Sequence, residues 1–398
     1  MLAASSLLAV SACNKSDAPT APVDSTHVDA LVAAPLTVLG HGDVPDRYTS
    51  ELWVQGTTAY TASWGTRGTR SGNAVKIWDV SGNQPVLVDS LIVASAGTLG
   101  DVQVSDDGTL LVVAIEPRPN GGIAIYSLVN PRKPQLIIRY SSPRLENGVH
   151  TAEVARVGGK LYAFCAIDPS NLVPAKLVIV DLSAPSAPVE TAAFTVGTPF
   201  IHDVFVRNGM LFTAEWNDGL GIYDIGAGRG SVAAPDFQGR VFTVGGQVHN
   251  VWWYNDQSSG SRRYAFVGEE GPGSIGSSST GDIHVVDVSN FVRPVEVAVF
   301  SAADAGVHNF SMDESRGVLY AAYYNGGVKV LDVRGDLSTC TAAQKTLDNR
   351  CDLAKMGRLK AFANISANGL AYVWGVHFSS GALYASDMLS GLWKFAPP

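Results

Sequence analysis

The chain has 398 residues, of which 36 are acidic and 28 are basic, and its net charge is −8. Only 16% of the residues are charged, below the roughly 25% usual for globular proteins, whereas 46% are apolar and Gly and Pro are abundant. This composition is typical of many short strands joined by tight turns. The acidic balance and the lack of any Lys and Arg cluster in the sequence argue against nucleic acid as a partner.

The N-terminal segment resembles the signal of bacterial lipoproteins. An apolar stretch over residues 2–12 ends in Val10-Ser11-Ala12-Cys13 and is followed at once by a polar run that contains Pro. The resemblance implies that residues 1–12 are a signal peptide, that Cys13 carries the lipid, and that residues 13–34 are a flexible tether. It predicts a protein anchored in the cell envelope, on the periplasmic or exterior face of a membrane. An ordinary apolar strand is the alternative interpretation.

A short alternating strand, most often ending in Asp, recurs seven times along the chain. The copies occupy residues 75–79, 123–127, 177–181, 220–224, 283–287, 328–332 and 392–396. Their spacing is close to the roughly 40–50 residues of a four-stranded propeller blade once insertions are allowed. The sequence thus predicts an all-β fold, a seven-bladed β-propeller over residues 35–398.

The third copy reads Leu177-Val178-Ile179-Val180-Asp181, with Pro-containing turn residues after it. It resembles the LVIVD-repeat family of bacterial β-propeller proteins, and the resemblance implies a secreted or surface-attached protein but no particular activity. Each blade should have four strands, named A to D from the central channel outward. Blade 7 has three of these strands in the C-terminal part of the chain. We expect residues 36–39 to supply its outer strand and to close the ring.

Histidines recur just before strand A of successive blades. They are His150, His202, His249, His308 and His377, and Glu51 and Asp101 occupy the matching positions of blades 1 and 2. A second polar set ends strand B and consists of Glu116, Asp168, Glu215, the pair Glu269 and Glu270, and Asp387. Because strand A lines the channel and strand B runs back to the same end, we expect both sets to converge at one channel mouth.

Clustered imidazoles with nearby carboxylates are the ligands that Zn, Cu or Fe ions prefer. His202, His249 and His308 are the candidate metal ligands, and a pair such as His202 and Glu215 is a candidate general base with its orienting acid. The alternative is structural, because in WD-repeat propellers a histidine at this point ties neighbouring strands together. The sequence favours a binding or scaffold module for a protein or small ligand, acting through this rim. A metal-dependent hydrolase or oxidase is the alternative function.

Three cysteines lie in the predicted propeller. Cys340 and Cys351 belong to one insertion after strand C of blade 6, and we predict a disulfide between them in an oxidising compartment. Apolar residues at helical spacing predict a short helix over residues 341–356. Cys165 lies in an apolar strand pattern, which favours a buried structural thiol over a nucleophile. The Gly- and Ser-rich residues 271–281 are expected to form a solvated insertion.

Overall fold

The computed structural model describes residues 33–116, 121–167, 169–170, 174–271, 279–303, 305–365 and 370–398. The predicted signal peptide, Cys13, nearly all of the tether, Asp168 and most of the insertion at 271–281 lie outside these residues. Within the described part of the chain, no helix is both long and apolar enough to cross a membrane.

The described chain consists almost entirely of β-strands. In the first half these are β1 (Ala34–Pro35), β2 (Val38–Asp43), β3 (Tyr48–Gln55), β4 (Thr58–Trp64), β5 (Thr66–Arg67), β6 (Arg70–Ser71), β7 (Ala74–Asp79), β8 (Val86–Ile92), β9 (Val102–Val104), β10 (Leu110–Ile115), β11 (Gly122–Ser127), β12 (Gln135–Tyr140), β13 (Val149–Val157), β14 (Lys160–Ile167), β15 (Lys176–Asp181) and β16 (Val189–Thr195). In the second half they are β17 (Asp203–Arg207), β18 (Met210–Ala214), β19 (Leu220–Asp224), β20 (Asp236–Val241), β21 (Val248–Trp253), β22 (Tyr264–Glu269), β23 (Ile283–Asp287), β24 (Val295–Phe300), β25 (Phe310–Asp313), β26 (Val318–Ala322), β27 (Val328–Asp332), β28 (Cys351–Asp352), β29 (Leu359–Ala363), β30 (Val373–Ser379), β31 (Ala382–Asp387) and β32 (Gly391–Phe395).

Seven antiparallel four-stranded units form the blades of a β-propeller, as predicted. Strands A to D are β3-β4-β7-β8 in blade 1, β9-β10-β11-β12 in blade 2, β13-β14-β15-β16 in blade 3, β17-β18-β19-β20 in blade 4, β21-β22-β23-β24 in blade 5, β25-β26-β27-β29 in blade 6 and β30-β31-β32-β2 in blade 7. The seven repeated segments are the third strands of the blades. The position of each repeat copy therefore correctly predicted the position of strand C in its blade.

The N-terminal part of the described chain closes the ring. Strand β2 pairs antiparallel with β32 and provides the outer strand of blade 7. It begins two residues later than the predicted strand at 36–39, because Leu36 is buried in the core between blades 6 and 7. The preceding strand β1 pairs in parallel with β29 of blade 6. Both otherwise open edges are thereby covered, which is the expected protection against edge-to-edge association.

The core lies between neighbouring blades, and both faces of each inner sheet are packed. Strand β10 is buried at every position, Leu110 to Ile115. Apolar side chains from its two faces enter different clusters: Val112 packs with blade 3, and Val113 packs with blade 1. This arrangement explains why strands B and C read as continuous apolar runs. Cys165 lies in β14, is fully buried and is free, as expected for a structural thiol.

The insertion of blade 6 differs in part from its prediction. Cys340 and Cys351 form the predicted disulfide, which suggests an extracytoplasmic protein. The predicted helix is wrong, since the segment has a single turn of 3-10 helix at Ala342–Gln344 and then the strand β28. Leu347 is fully exposed, so the apolar spacing did not mark one buried face. Strand β28 instead pairs in parallel with β24 and extends blade 5.

Candidate functional site

In blades 2 to 6, two consecutive residues at the start of strand A or just before it line the channel. In blades 1, 3, 5 and 7 a β-bulge interrupts the pairing of strand A with strand B at this point. A bulge sets two residues of one strand against one residue of its partner, so the regular alternation of side chains is broken there. The channel therefore has an outer ring at its mouth and an inner ring one residue further along each strand A.

The bulges correct the predicted single ring of seven equivalent positions. The equivalent positions of the outer ring are Ser50, Gly100, His150, His202, His249, His308 and Trp374, and those of the inner ring are Glu51, Asp101, Thr151, Asp203, Asn250, Asn309 and Gly375. All of them except Ser50 and Gly375 line the channel. Four of the five predicted histidines share the outer ring. Glu51 and Asp101 lie one level deeper than the histidines. His377 lies deeper again, in the middle of β30, where its ring packs 4.6 Å from that of Trp53.

The four histidines of the outer ring form a continuous row across blades 3 to 6. Their ring centroids are 4.2 Å apart for His150 and His202, 3.8 Å for His202 and His249, and 4.2 Å for His249 and His308. Trp374 continues the row, 4.4 Å from His308. The row gathers imidazole nitrogens, which are common ligands of transition metals, at one end of the channel.

A chain of polar contacts orients the first half of the row. His150 Nε2 lies 2.8 Å from His202 Nε2, and His150 Nδ1 lies 2.8 Å from Glu116 Oε1. Glu116 can reach His150 because residue 100 is Gly, where a Cβ would clash with the Glu116 carboxylate. When the Nδ1 proton of His150 faces this carboxylate, its Nε2 accepts the Nε2 proton of His202. This tautomer leaves a lone pair on His202 Nδ1.

Among the described residues, His202, His249 and Glu270 are placed so that they could hold a metal ion, since one ligand atom of each lies within 4.8 Å of the other two. His202 Nδ1 and both ring nitrogens of His249 are buried and have no hydrogen-bond partner in the described part of the chain. The hydroxyl of Tyr324 donates to Glu270 Oε1 and holds that carboxylate at the mouth. The geometry thus keeps two of the three predicted metal ligands and exchanges His308 for Glu270.

His308 makes the kind of contact that the structural interpretation predicts. Its Nδ1 donates to the backbone carbonyl of Trp374 at 2.6 Å. This hydrogen bond ties blade 6 to blade 7. The row therefore contains one histidine that joins neighbouring strands, and another, His249, that joins none in the described chain.

Burial keeps three imidazoles of the row, those of His202, His249 and His308, neutral. It lowers the pKa of His202 and that of His249 well below the ordinary 6.5, and the neighbouring histidines lower both further. Burial likewise lowers the pKa of His308 to about 3 and raises the pKa of Glu270. Neutral imidazole is the form that binds a metal ion, so these histidines are in the correct state for coordination at neutral pH.

The other carboxylates at the end of strand B do not reach the mouth. Glu215 accepts a hydrogen bond from Thr213 Oγ1 at 2.6 Å and pairs with Arg240. Glu269 lies 3.0 Å from His284 Nε2, on the side of the strand facing away from the channel. Asp387 accepts the backbone N–H groups of Leu389 and Ser390 at 3.1 and 2.8 Å and fixes the turn after β31. The predicted pairing of His202 with Glu215 is therefore not formed.

Four carboxyl groups line the channel below the histidines. They belong to Glu51, Asp101 and Asp203 of the inner ring and to Glu153, two residues further along β13. Burial raises the pKa of each, and repulsion between neighbouring acids contributes for Glu51, Glu153 and Asp203. The resulting pKa is about 8 for Glu51 and Glu153 and about 7 for Asp203.

Two residues of the mouth adopt a left-handed backbone conformation. Trp216 has φ 49° and stacks on His202 with centroids 5.5 Å apart, and Tyr324 has φ 35° and packs 4.9 Å from His308. Each forms an isolated bridge to strand A of the next blade. Such a conformation is costly for a bulky aromatic residue. Here it turns each aromatic ring toward the histidine row.

Sequence reasoning missed the roles of Tyr324 and Glu153. Tyr324 precedes Asn325-Gly326-Gly327, and only its left-handed backbone brings its hydroxyl to Glu270. Glu153 could have been found by alignment of the strand A segments, since it lies three residues after His150 as Trp252 lies three after His249. That alignment would have marked a third level of channel-facing residues.

Residues 162–196, which span most of strands B to D of blade 3, match the LVIVD repeat. A comparison with curated proteins finds no match to the chain. The matched repeat lies within one blade of the observed sheet topology. The chain is therefore a seven-bladed β-propeller that contains an LVIVD repeat.

Proposed function

We propose that this propeller is a binding module of the cell envelope that holds one transition-metal ion at its channel mouth, with His202, His249 and Glu270 as ligands. The observation that carries the proposal is His249. Its side chain is 1% exposed, and apart from a contact with the backbone of His308 that lacks full hydrogen-bond geometry, its ring nitrogens have no partner in the described chain. Leaving a buried polar group unsatisfied costs about 1–3 kcal/mol, and a bound metal ion would remove that cost.

The surroundings of the three ligands support the same proposal. Metal-binding histidines commonly direct their other ring nitrogen at a carboxylate or carbonyl, which fixes the ring and its tautomer. His150 and Glu116 provide this support for His202, and Tyr324 provides it for Glu270. Two imidazoles and one carboxylate suit Zn, Cu or Fe rather than Mg or Ca, which prefer oxygen ligands throughout.

The second candidate function is a metal-dependent hydrolase or oxidase centred on the same ion. The channel cavity favours it, because about 370 Å³ of space adjoins His202 and His249 and a small substrate fits that volume. Three protein ligands also leave coordination positions for water or substrate. Turnover of a substrate by the metal-loaded protein, and its loss in the variant Glu270→Gln, would favour this candidate over a binding module.

Metal titration of the purified, untagged full-length protein tests the proposal. Isothermal titration calorimetry with ZnCl₂ and CuCl₂ should give one site per chain, and His249→Ala should weaken that site by more than tenfold. His377→Ala is the matched control, because it removes a buried channel histidine outside the ligand group and should leave binding unchanged. Failure of the wild-type protein to bind either ion, or equal loss in both variants, would contradict the proposal.

We further infer that the module is attached to a membrane by a lipid on Cys13, where a protein partner of the envelope would meet it. The lipobox-like residues before Cys13 and the disulfide of blade 6 support this location. Cys13→Ser, expressed in a bacterial host that processes lipoproteins, should move the protein from the detergent-extracted membrane fraction to the aqueous fraction. A variant that stayed with the membrane would contradict the lipid anchor.

A further inference from the structure

The channel below the histidine row is a cavity with acidic walls. Glu51, Asp101, Glu153 and Asp203 all line it, and the described lining residues include neither Lys nor Arg. Without a bound cation, burial and mutual repulsion raise the pKa of these acids, to about 8 for Glu51 and Glu153, so these two are largely protonated at neutral pH. A cation bound among them would stabilise their ionised form. The walls of the cavity are therefore complementary to a cation.

The four carboxyl groups are spread around the channel and not gathered on one point. Amide groups hold them apart: Asn309 binds Glu51, the N–H groups of Val102 and Ala152 bind Asp101, and Gln103 binds Glu153. The metal-ligand group found among the described residues lies at the mouth and contains none of the four. A cation that uses these separate carboxyl groups together must be larger than a bare metal ion.

Aromatic side chains complete the same level of the channel. Trp53, Phe205 and Trp252 line the cavity beside Glu153, each two residues beyond the inner ring. The faces of Trp and Phe rings attract cations, and the attraction is strongest for organic cations that shed water easily. Carboxylates and aromatic faces at one level suit an ammonium group that bears carbon substituents.

We propose that this cavity binds a small organic ammonium ion. Its charged nitrogen lies among Glu51, Glu153 and Asp203, and its carbon substituents pack against Trp53 and Trp252. The cavity volume of about 370 Å³ suits a molecule of this size. The proposal goes beyond the metal site at the mouth and does not depend on it, because the two sites have no ligand residue in common.

A pair of molecules that differ only in charge tests the proposal on the wild-type protein. Calorimetric titration of the full-length protein uses tetramethylammonium, choline and 3,3-dimethylbutan-1-ol, the last of which has the shape of choline without its charge. Choline should bind about tenfold or more tightly than the alcohol, because only the cation gains from the carboxylates and the aromatic faces. Equal affinity for choline and the alcohol would overturn the proposal, as would failure of both ammonium ions to bind at millimolar concentration.

Isosteric variants locate the site. Glu51→Gln and Glu153→Gln keep the side-chain shape and, in titrations above the pKa of about 8 of both carboxyl groups, should each weaken choline binding about tenfold through the loss of one charged contact. Asp89→Asn is the control, because Asp89 is exposed on the outer strand β8 and should not affect binding. Thermal melting confirms that each variant is folded. Unchanged binding in both Glu variants, or displacement of choline by an equal concentration of CaCl₂, would overturn the proposal in favour of a surface or inorganic-cation site.

Discussion

Blade 5 buries two histidines, His249 in strand A and His284 in strand C, with exposures of 1% and 0%. His284 lies between two carboxylates, with Nε2 3.0 Å from Glu269 and Nδ1 2.6 Å from Glu296, and Arg350 of the blade 6 insertion also binds Glu296. His249 has no such partner in the described chain. The same residue type is thus paired with carboxylates at one position and lacks a carboxylate partner at the other.

The two carboxylates at the end of β22 show the same contrast one residue apart. Glu269 turns outward to His284, whereas Glu270 turns to the channel mouth and is held by Tyr324. Burial by itself lowers the pKa of His284, but its contacts with Glu269 and Glu296 outweigh burial and raise it to about 9. The pKa of His249 is instead lowered by burial. Both histidines are buried, so burial does not distinguish them. Contacts with carboxylates distinguish the stabilising His284 from the candidate ligand His249.

Removal of His284 should have the largest effect on stability. His284→Ala leaves Glu269 without its basic partner inside the protein, and the loss of one member of a buried ion pair costs about 3–5 kcal/mol. Urea unfolding at neutral pH measures the change in the free energy of unfolding. A loss below about 1 kcal/mol would show that the network does not stabilise the fold.

Alkaline pH should weaken the same network. The pKa of His284 is raised above its ordinary 6.5, so its contribution is complete below that pH and is lost as the pH rises through about 9. The free energy of unfolding should therefore fall by about 2–3 kcal/mol between pH 6.5 and 9.5 more in the wild type than in His284→Ala. Parallel pH profiles of the two proteins would contradict the assignment.

The carboxylate behind the histidine row should tune metal affinity. Glu116→Gln removes the charge that orients His150 and, through it, His202, and loss of such support costs about tenfold in metal affinity. Calorimetric titration with ZnCl₂ measures it, and Asp89→Asn provides the control. If Glu116 had only a structural role, Glu116→Gln would lower the melting temperature and leave the zinc affinity unchanged. An unchanged zinc affinity would therefore refute the orienting role.

Replacement of His249 should affect stability least. His249→Leu removes a buried polar side chain that has no hydrogen bond to lose, so the free energy of unfolding without metal should stay within about 1 kcal/mol of the wild type or rise. Urea unfolding in the presence of a chelator measures it. A loss comparable to that of His284→Ala would mean that His249 is a structural residue, and the contrast between the two histidines would disappear.

The fold was predictable because a sequence repeat, with one copy in each blade, marks its strands. Seven copies of strand C fixed the number of blades, and the outer strand missing from blade 7 required one near the N-terminus. The disulfide followed from two cysteines in one insertion. The helix predicted beside it failed, since pairing of β28 with β24 outweighed a helical spacing of apolar residues.

The location of the site was predictable from the sequence, but the depth and orientation of its individual side chains were not. Four histidines lie where their position before strand A placed them, but a bulge has no signature in these segments, so the depth of Glu51, Asp101 and His377 was misjudged. Side chains of consecutive strand residues point to opposite faces, and which carboxylate of the pair Glu269 and Glu270 faces the channel depends on where β22 ends. That end is set by contacts with blade 6 that the local sequence does not contain.

The most direct test of the account is anomalous X-ray diffraction at the zinc absorption edge from crystals of the full-length protein grown with ZnCl₂. We expect one strong anomalous peak per chain at the channel mouth, with His202, His249 and Glu270 at coordination distance of about 2.0–2.2 Å. The peak should be missing from crystals of His249→Ala. A peak at any other residues, or none at the mouth under saturating zinc, would contradict the claim that His202, His249 and Glu270 form a metal site.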